Sequence, residues 1–316
     1  MAQNLSKIPL YRLPLVALSV LVHCMMPQEV FRLSLVSKKF YKITKSLRKK
    51  PENLEMFLDS DASLCIDSNF LFFGKKDFSG DSEDSSPENL KILDAEIKIE
   101  MNKEHNCMNI YSEQFFDLTE YACDFYEMPV HTLGINYGNT MENPLRALDW
   151  VLNRQDTLHN CSFYCGGEED LRRQKLTPER IEAGGRWLTI ENVFDLNSRY
   201  LYLDVTSFTC ENVNFFLKNW QNGGNSNLGY CQFGLNSIDI DVILNGLEVN
   251  VRNHRVEIEY VYIDGSKLPI SKSYEIKRND GTIASIVMEN GEDQSFEMVV
   301  WPDWHGNHYP EREQVY

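Results

Sequence analysis

One pattern of apolar residues recurs along the chain and constrains its fold more than any other feature. The pattern occupies residues 130–135, 158–163, 201–205 and 228–233, and a clear copy is Leu228-x-x-Cys231-x-Phe233. Alternating apolar residues over such short stretches predict strands that bury one face. Leu133 and Cys161 are 28 residues apart, and Leu201 and Cys231 are 30 apart. This spacing leaves room for a helix between paired strands.

Two segments between these strands predict helices. Residues 143–152 open with Asn143 as a cap and Pro144 at the first turn, where a missing N–H costs nothing. Residues 209–224 end at Gly223-Gly224, which stops a helix. A strand and a helix at a period near 28 residues are typical of leucine-rich repeats, in which each unit buries its apolar face on its neighbours. A plain α/β sandwich is the alternative.

The C-terminal part carries a different pattern. Residues 255–263 and 295–301 alternate apolar and polar side chains, and residues 274–288 form two such runs on either side of Asn279-Asp280-Gly281. Alternation around an Asp-Gly turn predicts antiparallel hairpins. We expect these hairpins to close one end of the repeated strands.

An apolar run near the start of the chain has three possible explanations. Leu13 to Met26 is only 14 residues long, and a helix that spans a membrane needs about 20 apolar residues. Lys7 and Arg12 precede the run as in a secretion signal, but no small-x-small cleavage site follows His23. A helix that another protein covers is therefore favoured. A secreted or surface leucine-rich-repeat-like binding protein with a cleaved N-terminal signal stays open as the alternative.

Charge and cysteine content limit the partners and the compartment. Residues 1–50 contain ten Lys and Arg residues against Glu29 alone, so they carry +9 of a formal net charge of −16, and the remainder carries −25. This polarity favours a nucleic-acid or acidic-protein partner at the N-terminus and argues against nucleic-acid binding elsewhere. Eight scattered cysteines without a C-x-x-C pair indicate a reduced protein of the cytoplasm and/or nucleus.

Residues 14–50 predict three short helices. The first begins at Pro14, a second covers Gln28–Leu33, and a third starts near Ser34 with Val36, Phe40, Ile43 and Leu47 on one side and lysines on the other. So small a unit cannot bury all of its apolar side chains by itself.

These residues resemble an F-box at the family's spacing over about residues 9–50. The matching positions are the Leu13-Pro14 opening, the apolar pairs, and the closing run Leu35-Val36-Ser37-Lys38-Lys39-Phe40. Leu15 and Val16 depart from the pattern, because many F-boxes place acids there. The resemblance implies docking on the acidic Skp-type linker protein of an SCF ubiquitin ligase and, through it, on a cullin. The implied contact residues, with Lys38 and Lys39 at the rim, are Leu13, Pro14, Leu18, Leu21, Val22, Leu33, Leu35, Val36 and Phe40.

A second resemblance covers about residues 100–301. Segments 216–233 and 276–286 resemble the type two F-box-associated domain of a family that is greatly expanded in nematodes. It implies an adaptor whose large domain selects proteins for ubiquitination. We therefore predict an α/β protein: an F-box at 9–50, a linker at 51–95, and a leucine-rich-repeat-like α/β domain at 96–316 that antiparallel hairpins close. The linker contains an acidic loop, 77–90, in which Ser82, Ser85 and Ser86 are possible phosphorylation sites.

No enzymatic constellation stands out, and we expect no cofactor and no metal. Asp239-x-Asp241 could hold a cation in a hydrolase or transferase, but alternating Asp and Ile is typical of the wet side of a strand. His305-x-x-His308 beside Asp303 supplies too few zinc ligands. His131 and His159 fall at matching strand positions, where a packed or solvated pair outweighs catalysis.

The predicted target-binding residues lie on the concave strand face. We expect outward-pointing alternates of the repeated strands to select the unknown target protein, since tyrosine is frequent at interfaces. These residues are His131, Thr132, Tyr200, Tyr202, Tyr230 and Gln232. The alternative is that the same tyrosines pack across strands.

Overall fold

The computed structural model describes most of the chain and divides it into two compact units, Met1–Gly134 and Ile135–Tyr316. The described residues are 10–58, 62–67, 69–73, 88–92, 95–102, 107–111, 115–136, 145–164, 178–185, 188–204, 207–262, 265–288, 295–303 and 305–309. For 69–73, 88–92, 95–102 and 107–111, only the backbone is described.

The first unit opens with a short 3-10 helix, Leu10–Arg12, and continues with helices α1 (Leu15–Cys24), α2 (Pro27–Leu35) and α3 (Lys38–Leu47). Pro14 precedes α1, Pro27 is the first residue of α2, and the Ser37 hydroxyl accepts from the Phe40 N–H at 3.2 Å. These residues favour the start of a helix because its first N–H groups have no intrahelical partner. Proline has no N–H group to leave unpaired, and the Ser37 hydroxyl accepts from one such group. The three predicted helices are present, and α3 begins later than expected.

A fourth helix, α4 (Phe115–Tyr126), packs against α2 and α3. The Tyr121 ring lies edge-on to the Phe31 ring, with 5.8 Å between centroids, and the Tyr126 hydroxyl donates to the Pro27 carbonyl at 2.8 Å. Aromatic rings from α4 thus cover the inner side of the N-terminal helices. On this side, the apolar surface of the three N-terminal helices is therefore covered by α4 of the same chain.

The sheet of the first unit begins inside the range for which the sequence predicts a linker. Strands β1 (Leu54–Leu58), β2 (Ala62–Ile66), β3 (Asn69–Phe73) and β4 (Glu88–Ile92) precede β5 (Ala95–Asn102), β6 (Cys107–Tyr111) and β7 (Thr132–Ile135), in the order β7-β1-β2-β3-β6-β5-β4. The described residues of 51–95 are therefore largely sheet, because Leu54, Met56 and Leu58 bury one face of β1. Ser82, Ser85 and Ser86 lie outside the described residues.

The second unit combines parallel and antiparallel strands in one sheet. Strands β8 (Asn160–Phe163), β9 (Arg180–Gly184), β10 (Tyr200–Asp204) and β11 (Tyr230–Gly234) are parallel. Beyond β11 follow β15 (Ser295–Trp301), β14 (Ile283–Met288), β13 (Lys267–Lys277) and β12 (Asn250–Val261), all antiparallel. The predicted hairpins therefore extend the sheet at the β11 edge.

Four helices accompany these strands: α5 (Leu145–Arg154), α6 (Ile190–Asp195), α7 (Cys210–Gln221) and α8 (Ile240–Ile243). Val213, Phe216, Leu217 and Trp220 of α7 are buried, and the Phe216 and Phe233 rings lie 5.0 Å apart. Helix α7 ends before Gly223, whose φ of +100° favours glycine. The predicted inward face and stop of this helix are correct.

Strand register explains the long gap in the repeated pattern. Cys161 pairs with Ile181, Ile181 with Leu201, and Leu201 with Cys231. Strand β9, which we did not predict, therefore supplies the copy missing between residues 161 and 201. Successive spacings are 20, 20 and 30 residues. The structure confirms a mixed α/β protein, and the leucine-rich-repeat-like description stays a prediction.

Candidate functional site

The first candidate surface is the outer side of α1. Leu15 is 64% exposed, Val16 77% and Val20 60%, whereas Leu18 and Val22 of the same helix are only 4% and 3% exposed. Helix α1 is apolar except for Ser19 and His23, and the first unit buries only the side that carries Leu18 and Val22. We call Leu15, Val16 and Val20 the α1 surface.

The predicted linker-binding residues fall into three classes of exposure. Leu18, Val22 and Leu35 are buried in the first unit, so the expected direct contact at these positions needs correction: they pack the helices together. Leu13, Leu21, Leu33 and Phe40 are half-buried, while Pro14, Val36, Lys38 and Lys39 are exposed. The sequence pattern missed the α1 surface, because Leu15 and Val16 stood where the family pattern places acids.

A cluster of cations anchors the end of α3. The Glu127 carboxylate lies 3.5 Å from Lys45 Nζ, 3.4 Å from Lys50 Nζ and 3.7 Å from Arg48 Nη2. Hydrogen bonding from Lys50 holds the pKa of Glu127 below its usual value, and Lys45 and Arg48 add to the shift. The Arg48 guanidinium also lies over the Phe125 ring at 5.1 Å. Part of the basic charge of the N-terminal segment is thus used to hold α3 and α4 together.

The second candidate surface is a cavity of about 300 Å³ on the sheet of the second unit. Strands β9, β10 and β11 place alternate residues in register there: Arg180 beside Tyr200, and Tyr202 between Glu182 and Gln232. We call this cavity the tyrosine cleft. Its principal lining residues are Arg180, Glu182, Tyr200, Tyr202, Gln232 and Tyr262.

Stacked rings form the floor of the tyrosine cleft. The centroids of Tyr200 and Tyr230 are 4.6 Å apart, and those of Tyr230 and Tyr260 are 5.7 Å apart. The Arg180 guanidinium lies 4.8 Å above the Tyr200 ring and forms an ion pair with Glu182. A cation above a tyrosine ring is attracted by the ring quadrupole.

A buried carboxylate organises the phenols behind this floor. The Tyr230 hydroxyl lies 2.8 Å and the Tyr262 hydroxyl 3.0 Å from Glu297 Oε2. The Tyr230 hydroxyl also lies 2.9 Å from Gln232 Oε1, and its single proton can be donated to only one of these two acceptors at a time. Burial and the Glu297 charge raise the pKa of Tyr230 and of Tyr262. Both phenols are therefore neutral donors at neutral pH.

Four of the predicted target-binding residues meet at this cleft. Tyr202 and Gln232 are half-buried, but Tyr200 and Tyr230 are 7% and 1% exposed. Their expected outward exposure needs correction, because Tyr260, Leu268 and Ile270 of β12 and β13 pack against them. His131 and Thr132 belong to the first unit. The buried Thr132 hydroxyl lies 3.2 Å from Glu55 Oε1.

Comparisons with known proteins connect the first surface to a family. Residues 10–52 match the F-box domain, and they contain α1, α2 and α3. The chain carries an F-box. Residues 173–233 match a second family described as F-box associated, and this range contains β9, β10 and β11 with the tyrosine cleft on them. Both resemblances that the sequence suggested are confirmed.

One curated relative is an uncharacterized protein of Caenorhabditis elegans, F59B2.9, which is 26% identical over 143 residues. The alignment covers 43% of this chain and 32% of the relative, so this chain spans about a third of the length of the curated relative that it matches. No solved structure matches the chain.

The sequence constellations considered for metal binding are separate in the structure. Asp239 does not lie on a strand as expected: it caps α8, where its Oδ1 accepts from the Asp241 and Val242 N–H groups at 3.0 and 3.2 Å. His305 and His308 are exposed. His159 lies 3.3 Å from Glu179. Within the described ranges, no group of three His, Cys, Asp or Glu side chains could hold a metal ion.

Two further features concern the described residues only. Cys24, Cys161, Cys210 and Cys231 are free thiols, and burial raises the pKa of Cys161 and Cys231. None of the described helices is both long and apolar enough to span a membrane.

Proposed function

We propose that this F-box protein is the substrate-recognition subunit of an SCF-type ubiquitin ligase. Its F-box would bind a Skp-type linker and, through the linker, a cullin, while the F-box-associated region would bind the target protein. The observation that carries the proposal is the exposed aliphatic surface of α1 inside the segment that matches the F-box.

The α1 surface supports a protein contact because of its chemistry. Leu15, Val16 and Val20 present adjacent aliphatic side chains, with the exposed Pro14 next to them. Covering a Leu or Val side chain contributes about 1.5–3 kcal/mol. Three such side chains at one site therefore favour a permanent apolar partner over water. In this proposal Leu18, Val22 and Leu35 act indirectly, by holding the helices that present the surface.

Exposed lysines suit the rim of the same contact. Lys38, Lys39 and Lys42 are exposed at the start of α3, and Lys45 is turned toward Glu127. The F-box resemblance implies an acidic linker protein, so these lysines would speed its association by electrostatic attraction. Their effect is on the rate of encounter, whereas the aliphatic surface determines how long the complex lasts.

The proposed role of the rest of the chain is to position the target protein. F-box and F-box-associated regions are typical of adaptor proteins without catalytic activity, and in such an assembly the conjugating chemistry takes place on other subunits. A bound target would have its lysines held near a charged conjugating enzyme, which raises their effective concentration. We place target binding at the tyrosine cleft, where the half-buried Tyr202 and Gln232 remain accessible.

Gel filtration of the full-length chain with a purified Skp-type linker protein tests the proposal. The wild-type chain should co-elute with the linker, and a Leu15→Asp/Val20→Asp variant should not. Val251→Asp is the matched control, since Val251 is 55% exposed on β12 in the second unit. The proposal fails if the wild type does not bind the linker, or if the α1 variant binds as well as the Val251→Asp control.

A further inference from the structure

We propose that the tyrosine cleft binds a cationic side chain, lysine or arginine, of the target protein. This inference rests on the proposed function, because it assigns the target chemistry to the second unit of an adaptor. It concerns a site on β9, β10 and β11, within the range that matches the F-box-associated family.

The size of the cleft suits one side chain. Its volume of about 300 Å³ lies at the lower end of the range of ligand pockets, which is about 300–1,000 Å³. The lining side chains come from β9, β10 and β11 and from Tyr262 and Ser266, and Tyr200 among them is 7% exposed. A volume of this size accommodates one long, thin side chain, and a dinucleotide or a haem is too large for it.

The walls favour a positive charge that is partly removed from water. Tyr200, Tyr202 and Tyr262 line the cleft, and tyrosine rings attract cations through their faces. One such contact is already present in the cleft, since the Arg180 guanidinium lies 4.8 Å from the Tyr200 ring centroid. A second cation from a target would use the same chemistry on the neighbouring rings.

The charged side chains around the cleft are also compatible with a cationic ligand. Among its lining residues Arg180 is positive and Glu182 negative, and the two form an ion pair. Glu297 lies behind the phenols, is 4% exposed and accepts from the Tyr230 and Tyr262 hydroxyls. The Arg180–Glu182 ion pair carries no net charge, so it does not oppose the entry of a second cation. Residues 51–316 as a whole carry −25, which adds long-range attraction for a basic target.

Peptide binding to the full-length chain, bound to its linker protein, tests the inference. The probes are four blocked pentapeptides, Gly-Gly-X-Gly-Gly, with lysine, arginine, glutamine or glutamate at X. Saturation-transfer NMR titrations should give dissociation constants about fivefold lower for lysine and arginine than for glutamine, and weaker binding still for glutamate. Equal affinity for the four peptides would overturn the inference.

Substitutions in the cleft identify the site. Tyr202→Ala and Glu182→Gln should each abolish the preference for lysine and arginine, the second because it leaves Arg180 as an unpaired positive charge. Tyr202→Phe keeps the ring and should keep the preference. Glu191→Gln and Glu248→Gln remove one exposed acidic charge elsewhere in the second unit, and they should change nothing. A preference that survives both cleft substitutions, or that the two control substitutions also remove, would contradict the inference.

The same samples separate this inference from the proposed function. All of these variants should co-elute with the linker protein, because none of the substituted residues lies in the F-box. Absence of linker binding by the wild type refutes the adaptor proposal. Normal linker binding without a preference for cationic peptides refutes the cleft inference alone.

Discussion

The α1 surface and the tyrosine cleft offer two kinds of chemistry to other molecules. Leu15, Val16 and Val20 present only aliphatic carbon, whereas the cleft presents phenols, an amide and an ion pair. Aliphatic contact is non-directional and scales with covered area. Polar groups that must find partners penalise the wrong ligand when they are left unpaired. Under the proposed function, the α1 surface would serve a constant partner and the cleft a selective one.

The largest expected effect separates core from surface within one helix. Leu18→Asp would bury a carboxylate where Leu18 is 4% exposed, and it should lower the free energy of unfolding by at least about 4 kcal/mol. Val20→Asp, at a position 60% exposed, should change it by less than about 0.5 kcal/mol and still weaken linker binding. Urea denaturation measures the first quantity and isothermal calorimetry the second. Equal destabilisation by the two changes would contradict the assignment.

A smaller effect concerns the buried carboxylate of the second unit. Glu297→Ala removes the acceptor of the Tyr262 hydroxyl and leaves the Tyr230 hydroxyl with Gln232 Oε1 alone, and it should lower the free energy of unfolding by about 1–3 kcal/mol. Glu297→Gln retains an acceptor oxygen and should cost less. Urea denaturation of both variants checks the order. Linker affinity, measured per folded molecule, should stay at the wild-type value in both.

The lysines at the rim of the proposed linker contact should affect the association rate more than the dissociation rate. Lys38→Glu/Lys39→Glu reverses two exposed charges at the start of α3, and it should slow association with the linker about tenfold at low ionic strength. Dissociation should change little, because the aliphatic contact is intact. Biolayer interferometry at low and high salt gives both rates. A slower association that persists at high salt would show that these lysines make direct contacts.

The smallest effect is a pH dependence at the end of α3. Lys50, Lys45 and Arg48 lower the pKa of Glu127 in the folded chain, so the stability from this carboxylate is present above its unfolded pKa. It is lost as the pH falls through the lower folded pKa. The melting temperature of Glu127→Gln should therefore fall below that of the wild type at neutral pH and converge with it in acid. A difference that grows in acid would have the wrong sign.

Local signals in the sequence located many elements of the fold. Pro14, Pro27 and Ser37 mark the starts of the N-terminal helices, Gly223 marks the end of α7, and Asp280-Gly281 marks the turn between β13 and β14. These residues act through their own backbone conformation or hydrogen bonds, so their effect is visible without knowledge of the tertiary structure.

Features that depend on distant residues could not be located in this way. Helix α1 is apolar except for Ser19 and His23, so its periodicity could not tell the buried Leu18 from the exposed Val20. Tyr200 and Tyr230 are covered by β12 and β13, which come later in the chain. Strand β9 has only Ile181 and Ala183 as buried side chains between charged residues. The alternation of these apolar residues with charged ones could have predicted the strand. In the structure, Ile181 pairs with both Cys161 and Leu201.

Hydrogen exchange with mass spectrometry of the full chain, with and without the Skp-type linker, tests the central claim most directly. The account predicts that the linker slows exchange in α1 and at the start of α3, residues 15–24 and 36–40. It also predicts no change in β10 and β11, residues 200–204 and 230–234, which carry the cleft. Unchanged exchange in α1, or protection centred on β10 and β11, would contradict an F-box that binds the linker through the α1 surface and leaves the cleft open for a target.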